Sequence, residues 1–120
     1  MNIEDLRIYC LSKQAVTESF PFDDVTLVFK VKNKMFAIFS LDGDLRISLK
    51  CDPERALELR EKHPAIIPGF HLNKKLWNTI ALDGSLSSTF IQELIDHSYQ
   101  LIVESLTKKL RLELENEAKA

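Results

Sequence analysis

Two β-rich runs, Leu27-Val28-Phe29-Lys30-Val31 and Met35-Phe36-Ala37-Ile38-Phe39, are separated only by Lys32, Asn33 and Lys34. This spacing constrains the fold more than any other feature of the chain, because β-branched and aromatic runs joined by so short a link have to pair as an antiparallel hairpin. A loop at Lys32 and Asn33 sets Phe29 opposite Phe36 and Leu27 opposite Ile38. A loop at Asn33 and Lys34 sets Phe29 opposite Ile38 and Val31 opposite Phe36. Both preserve parity, so both put Leu27, Phe29, Val31, Phe36 and Ile38 on one face as the expected core. The other face then carries Val28, Lys30, Met35, Ala37 and Phe39, which is too apolar to be left in water.

The rest of the chain supplies one further alternating strand and several helix signals. Leu45, Ile47 and Leu49 alternate with Arg46, Ser48 and Lys50 after an Asp42-Gly43 turn, which predicts a half-buried antiparallel strand with a basic wet side. Asn2 caps a first helix that ends near Lys13, and Asp52 followed by Pro53 opens a second that carries Ala56, Leu57 and Leu59 and stops before Pro64. Val16 to Phe22 reads as a short edge strand or bend ahead of Pro21. Ala65 to Asn73 reads as a loop, and Leu76 to Leu82 as a strand closed by Asp83 and Gly84. A long helix from about Ser87 to Leu106 carries Phe90, Ile91, Leu94, Ile95, Ile102 and Leu106 on one stripe, so it should lie across the sheet. Thr107 to Ala120 predicts a charged last helix that frays beyond Glu115.

Size and charge bound the function. At 120 residues, 45% hydrophobic and 28% charged, the chain is expected to form one domain over 1–120 around one core. Sixteen Lys and Arg against eighteen Asp and Glu give a net charge of -2, so no whole-molecule field draws the chain to a polyanion. Residues 27–77 carry ten basic and six acidic groups, net +4, so any nucleic-acid contact has to use a local face. Glu4 and Asp5 stand where a secretion signal would be basic, and no run of about eighteen apolar residues occurs, so a cytoplasmic protein without a membrane partner is expected.

The order of elements and several phrases carry a family resemblance. Phe20-Pro21-Phe22-Asp23, Phe29-Lys30-Val31, Lys34-Met35-Phe36-Ala37, Ser48-Leu49-Lys50, His71-Leu72-Asn73-Lys74 with Trp77 and Thr79, Leu82-Asp83-Gly84 and Ser98-Tyr99 run through most of the chain. Together they resemble the MmcQ/YjbR family of small bacterial proteins. The resemblance implies an α+β fold, a single antiparallel β-sheet packed by helices, similar to CyaY-like and secretion-chaperone-like arrangements. It also implies a proposed double-wing DNA-binding role, an inference from architecture.

The candidate nucleic-acid surface combines His71, Asn73, Lys74, Lys75, Trp77 and Asn78 with Lys30, Lys32, Lys34, Arg46 and Lys50 of the hairpin and the alternating strand. Cations hold phosphates and a flat aromatic stacks a base, so the expected function is a non-enzymatic binding module with DNA as partner. A structural reading of the same residues makes Trp77 core, has His71 and Asn73 fix the loop, and leaves the lysines solvated. The alternative function is a protein-interaction module or homodimer that uses Val28, Met35, Ala37 and Phe39 and has no nucleic-acid role.

No cofactor is called for. His63, His71 and His97 share no metal-ligand spacing with one another or with Cys10 and Cys51, and Glu4 with Asp5 is thin for a frataxin-like iron ridge. Ser48, Ser98 and the two cysteines sit in no activating motif, and Gly43, Gly69 and Gly84 each stand alone, so no phosphate loop is present. A small-molecule enzyme would require a pocket with paired titratable groups near His71.

Overall fold

At the hairpin tip Lys32 and Asn33 sit at φ of 47° and 66°, and Val31 pairs with Lys34. This is the two-residue turn whose left-handed backbone matches the twist of paired strands. In this computed structural model, which describes residues 2–119, the elements are α1 (Ile3–Leu11), β1 (Val16–Ser19), β2 (Thr26–Val31), β3 (Lys34–Ser40), β4 (Arg46–Lys50), α2 (Pro53–Lys62), β5 (Ile66–Pro68), β6 (Trp77–Ala81), α3 (Ser88–Ser105) and α4 (Lys108–Lys119). Met1 and Ala120, to which the expectations about the chain start and the last helix extend, lie outside the described residues. The strands form one antiparallel sheet in the order β1-β2-β3-β4-β6-β5.

The expected hairpin register holds only at the tip. Lys30 pairs with Met35, but Phe29 pairs with Ala37, so Phe36 is an extra residue on β3. A bulge of this kind reverses the parity of everything beyond it. Phe36 stays on the core side with Leu27, Phe29 and Val31, and Ala37 and Phe39 join it; Ile38 turns to the opposite face with Val28 and Met35. This corrects the expected assignment of Ala37 and Phe39. Both are fully buried, and the Phe39 ring packs 4.9 Å from that of Phe29.

The bulge gives α3 its anchor. The Ser98 hydroxyl donates to the Phe36 carbonyl at 2.5 Å and accepts the Lys50 N–H at 2.9 Å, tying one helix residue to two strands. Tyr99 meets the Phe36 ring edge-on at 5.3 Å. Ile91, Leu94, Ile95 and Ile102 then seal the helix against β2, β3 and β4, with α1 beside β1 and α2 beside β5.

The helix starts follow local capping chemistry. Asn2 and Asp5 form a reciprocal capping box, Asp52 caps α2 with Pro53 at its first turn, and Ser87 caps α3. Ala56 and Leu59 of α2 are buried, whereas Leu57 is exposed. Ile66–Pro68, expected as loop, is a three-residue edge strand on β6, where a proline without an N–H is tolerated. The expected last helix is present and spans Lys108–Lys119; Leu114 is buried and its carbonyl accepts from Gln14 Nε2 at 2.5 Å. No helix among the described residues is long and apolar enough to cross a membrane.

His97 ties α3 to the start of α2 by accepting the Asp52 N–H on Nε2 at 3.2 Å, a bond only the unprotonated nitrogen can accept. Burial, then the nearby Arg55 charge, holds its pKa below the ordinary 6.5, with Asp52 and Glu104 opposing. Because the folded value is depressed, the stabilisation is full above 6.5 and is lost as pH falls through the folded value. Melting temperature should therefore drop between neutral and mildly acidic pH, and His97→Gln should flatten that slope; an unchanged slope would refute the assignment. The bulge makes a second prediction. Phe39→Ala should cost about 3–5 kcal/mol in chemical denaturation, while Phe22→Ala, at 67% exposure, should shift the midpoint little.

Candidate binding face

The helices cover one side of the sheet, which leaves a concavity of about 540 Å³ on the other. Its floor is Thr26 of β2, Met35, Ile38 and Ser40 of β3, and Arg46 and Ser48 of β4. Phe22, Asp23 and Val25 wall one side, and Phe70, His71 and Leu72 the other, with Asp42 also lining it.

Arg46 is the chemical centre of this face. Strand alternation aims it away from the helices, between Ser40 and Ala81 on the neighbouring strands. Its guanidinium carbon lies 4.9 Å from the centroid of the Phe70 ring, a cation–π contact. No carboxylate forms a salt bridge with it among the described residues, and its Nε is buried without a hydrogen-bond partner. A buried donor left unmatched costs about 1–3 kcal/mol.

The wall opposite Phe22 is stitched down. Phe70 N–H donates to Thr79 Oγ1 at 3.0 Å, and Thr79 Oγ1 shares a hydrogen bond of 2.8 Å with Ser48 Oγ on the floor. The Gly69 N–H donates to the Trp77 carbonyl at 2.8 Å, and Lys74 Nζ returns to the Gly69 carbonyl at 3.0 Å. Asn73 Oδ1 accepts the N–H groups of Lys75 and Leu76 at 2.9 and 3.3 Å. Arg60 braces the loop from α2 by donating to the Asn78 side chain at 2.6 Å and to the Lys74 carbonyl. His71, at φ 60°, lays its ring 4.1 Å from that of Phe70, and the described residues offer its imidazole no hydrogen bond.

The sequence-predicted residues divide into two groups. Lys30, Arg46, Lys50 and Trp77 share the open side by strand alternation, and His71 joins them at the concavity. The others point elsewhere. Lys32 pairs with Glu117 at 2.6 Å and Glu113 at 3.8 Å, which raises its pKa. Lys34 Nζ lies 3.4 Å from the Ser105 carbonyl at the end of α3. Asn73 and Lys74 are consumed by the loop, and Lys75 lies beside Leu57 and Arg60 of α2 around a separate depression of about 320 Å³. The hairpin tip is therefore docked on α4 rather than presented as a free basic wing.

The apolar surface expected for self-association loses three of its four members, because Val28, Ala37 and Phe39 are fully buried. Of the four, Val28 and Met35 lie on the open face, and only Met35 is not buried. Sequence reasoning passed over Phe22, Phe70, Asp23 and Asp42. Phe22 and Phe70 are 67% and 49% exposed beside Pro21 and Gly69, and large aromatics next to turn residues are the signal that could have marked them. Asp23 accepts the Val25 N–H at 3.0 Å and the Thr26 hydroxyl at 3.2 Å, which keeps its pKa below the ordinary carboxylate value. Away from this face, burial pushes the Cys10 thiol up to about 12 and also raises that of Cys51, so both resist forming thiolate. No group of three metal-ligating side chains occurs among the described residues.

With this geometry in view, the comparisons with known proteins agree on kinship. The family model described as YjbR matches residues 11–101. The chain belongs to the YjbR family. Escherichia coli YjbR is 38% identical over 112 residues, which is 92% of this chain and 95% of that protein. Escherichia coli YbdF is 36% identical over 91 residues, 75% of each chain. The crystal structure of a Deinococcus radiodurans protein with a DUF419 domain superposes with a TM-score of 0.89 at 47% identity, covering 95% of this chain and 88% of that one. A Pseudomonas syringae crystal structure gives a TM-score of 0.74 at 30% identity, covering 84% and 98%. The YjbR fold is thus the frame on which the Arg46 face is built.

Of the three glycines, only Gly69 is closely packed in that frame. A Cβ there would lie 2.7 Å from Trp77 Cβ and 3.0 Å from the Trp77 carbonyl oxygen, so the loop has to move to accommodate one. Gly69→Ala should cost about 1–3 kcal/mol. The Phe70 and Thr79 amide resonances should shift with it; unchanged resonances would show that the loop is not held by this contact.

Proposed function

We propose that this chain is a non-enzymatic binding module and that a single nucleic-acid strand lies along the open face of its sheet. One observation carries the reading: Arg46, which no carboxylate among the described residues matches, stands on the same face as Lys30, Lys50, His71 and the exposed aromatics Phe70 and Phe22. Cations that track a backbone and aromatic faces that stack bases are the two components of sequence-tolerant single-strand binding. A duplex fits less well. Its stacked bases are closed to Phe22 and Phe70, and the chain's net charge of -2 adds no general attraction. Catalysis is not invoked, because the His71 ring packs at a tilt against Phe70 and no described hydrogen bond orients its imidazole for proton transfer.

Fluorescence anisotropy with labelled single and double strands tests the reading. Three phosphate contacts from Lys30, Arg46 and Lys50 predict a slope of log affinity against log salt near about -2, or roughly a 20-fold loss between about 50 and about 200 mM salt. Arg46→Glu should abolish binding, and Lys32→Glu, at a lysine already matched by α4, should leave it within about twofold. The reading fails if single strands do not bind at low salt, or if Lys32→Glu weakens binding as much as Arg46→Glu.

A further inference from the structure

We infer that the concavity over Arg46 is a seat for one nucleotide, with the anionic phosphate on Arg46 and an amino-bearing base against the apolar wall, its amine directed to Asp42. This rests on the proposed reading only in taking the open face as the binding face. It adds a discrete pocket, a ligand class and a base preference.

The volume fits: about 540 Å³ falls within the roughly 300–1,000 Å³ typical of small-molecule sites. The lining is divided by chemistry. Arg46 contributes a planar cation that pairs with no carboxylate among the described residues and whose guanidinium carbon lies over the Phe70 ring, so its terminal amines are positioned for an acceptor oxygen. Phe22, Met35, Ile38 and Phe70 form the apolar part that a flat ring would cover. Asp42 is exposed, lines the same concavity, and has no described hydrogen bond or salt bridge.

A ligand that satisfies all three parts carries one anionic group, a flat ring and an N–H donor. An inorganic anion leaves the apolar wall and Asp42 unused, and an uncharged nucleoside leaves Arg46 unmatched. A carboxylate accepts from the exocyclic amine of cytosine, whereas thymine presents an oxygen at that position. Cytosine should therefore be preferred over thymine.

Isothermal titration of the full chain with deoxycytidine monophosphate, thymidine monophosphate, deoxycytidine and inorganic phosphate tests the inference. Deoxycytidine monophosphate should bind, with deoxycytidine and phosphate each roughly tenfold or more weaker. Arg46→Gln should weaken binding roughly tenfold. Asp42→Asn, on an exposed turn where folding is not at stake, should erase the cytosine preference while leaving phosphate-dependent binding in place. The inference is overturned if deoxycytidine monophosphate does not bind at millimolar concentration, if inorganic phosphate binds as tightly, or if the cytosine preference persists in Asp42→Asn. A strand of about twelve nucleotides separates the two readings. Strand binding without binding or competition by the mononucleotide sinks this seat and leaves the face reading standing; mononucleotide binding without strand binding does the reverse.

Discussion

One extra residue, Phe36, decides how this molecule is divided. The bulge it creates in β3 reverses which side chains meet the helices, moving Ala37 and Phe39 inward and Ile38 outward. Without it, the hairpin would bury Ile38 and send two residues that are now fully enclosed, one of them a phenylalanine, to the opposite side. The Ser98 hydroxyl holds the irregular point by satisfying the Phe36 carbonyl and the Lys50 N–H together. A buried polar contact thus sets the seat of α3, and the long apolar stripe of that helix completes the core around it.

The consequence on the far side is a sheet surface with mixed chemistry. Ile38 and Met35 supply apolar floor, Ser48 and Thr79 a bonded hydroxyl pair, and Arg46 a cation with a donor to spare. The loop from Gly69 to Leu76 is immobilised by its own side chains and by Arg60, so Phe70 and His71 stand on a braced wall. Rigid supports of this kind reduce the ordering needed on binding, which is why a site built this way is suited to recognition.

The division of the lysines shows how charge in a sequence is converted into charge on a surface. Lys32 and Lys34 stand at a hairpin tip, where solvent exposure is the natural expectation. The C-terminal half of the chain covers that tip instead, through Glu113, Glu117 and the end of α3. Lys74 closes a turn on Gly69. Lys30, Arg46 and Lys50 remain together because alternation along β2 and β4 puts them on the side opposite the helices.

Much of the fold was legible because it rests on local chemistry. Asn2, Asp52 with Pro53, and Ser87 announce helix starts through the bonds their own side chains make, and the two β-rich runs around Lys32 and Asn33 can hardly avoid pairing. The α+β class follows from that order of elements, and the YjbR resemblance from it together with phrases such as His71-Leu72-Asn73-Lys74 and Leu82-Asp83-Gly84. Partnerships formed across the chain were hidden: the bulge at Phe36, the edge strand Ile66–Pro68, the docking of the hairpin on α4, and the concavity where Phe22, Arg46, Asp42 and Phe70 meet. Each depends on which distant groups compete for a given backbone amide, carbonyl or amine, and that competition is resolved only when the sheet and helices close on one another.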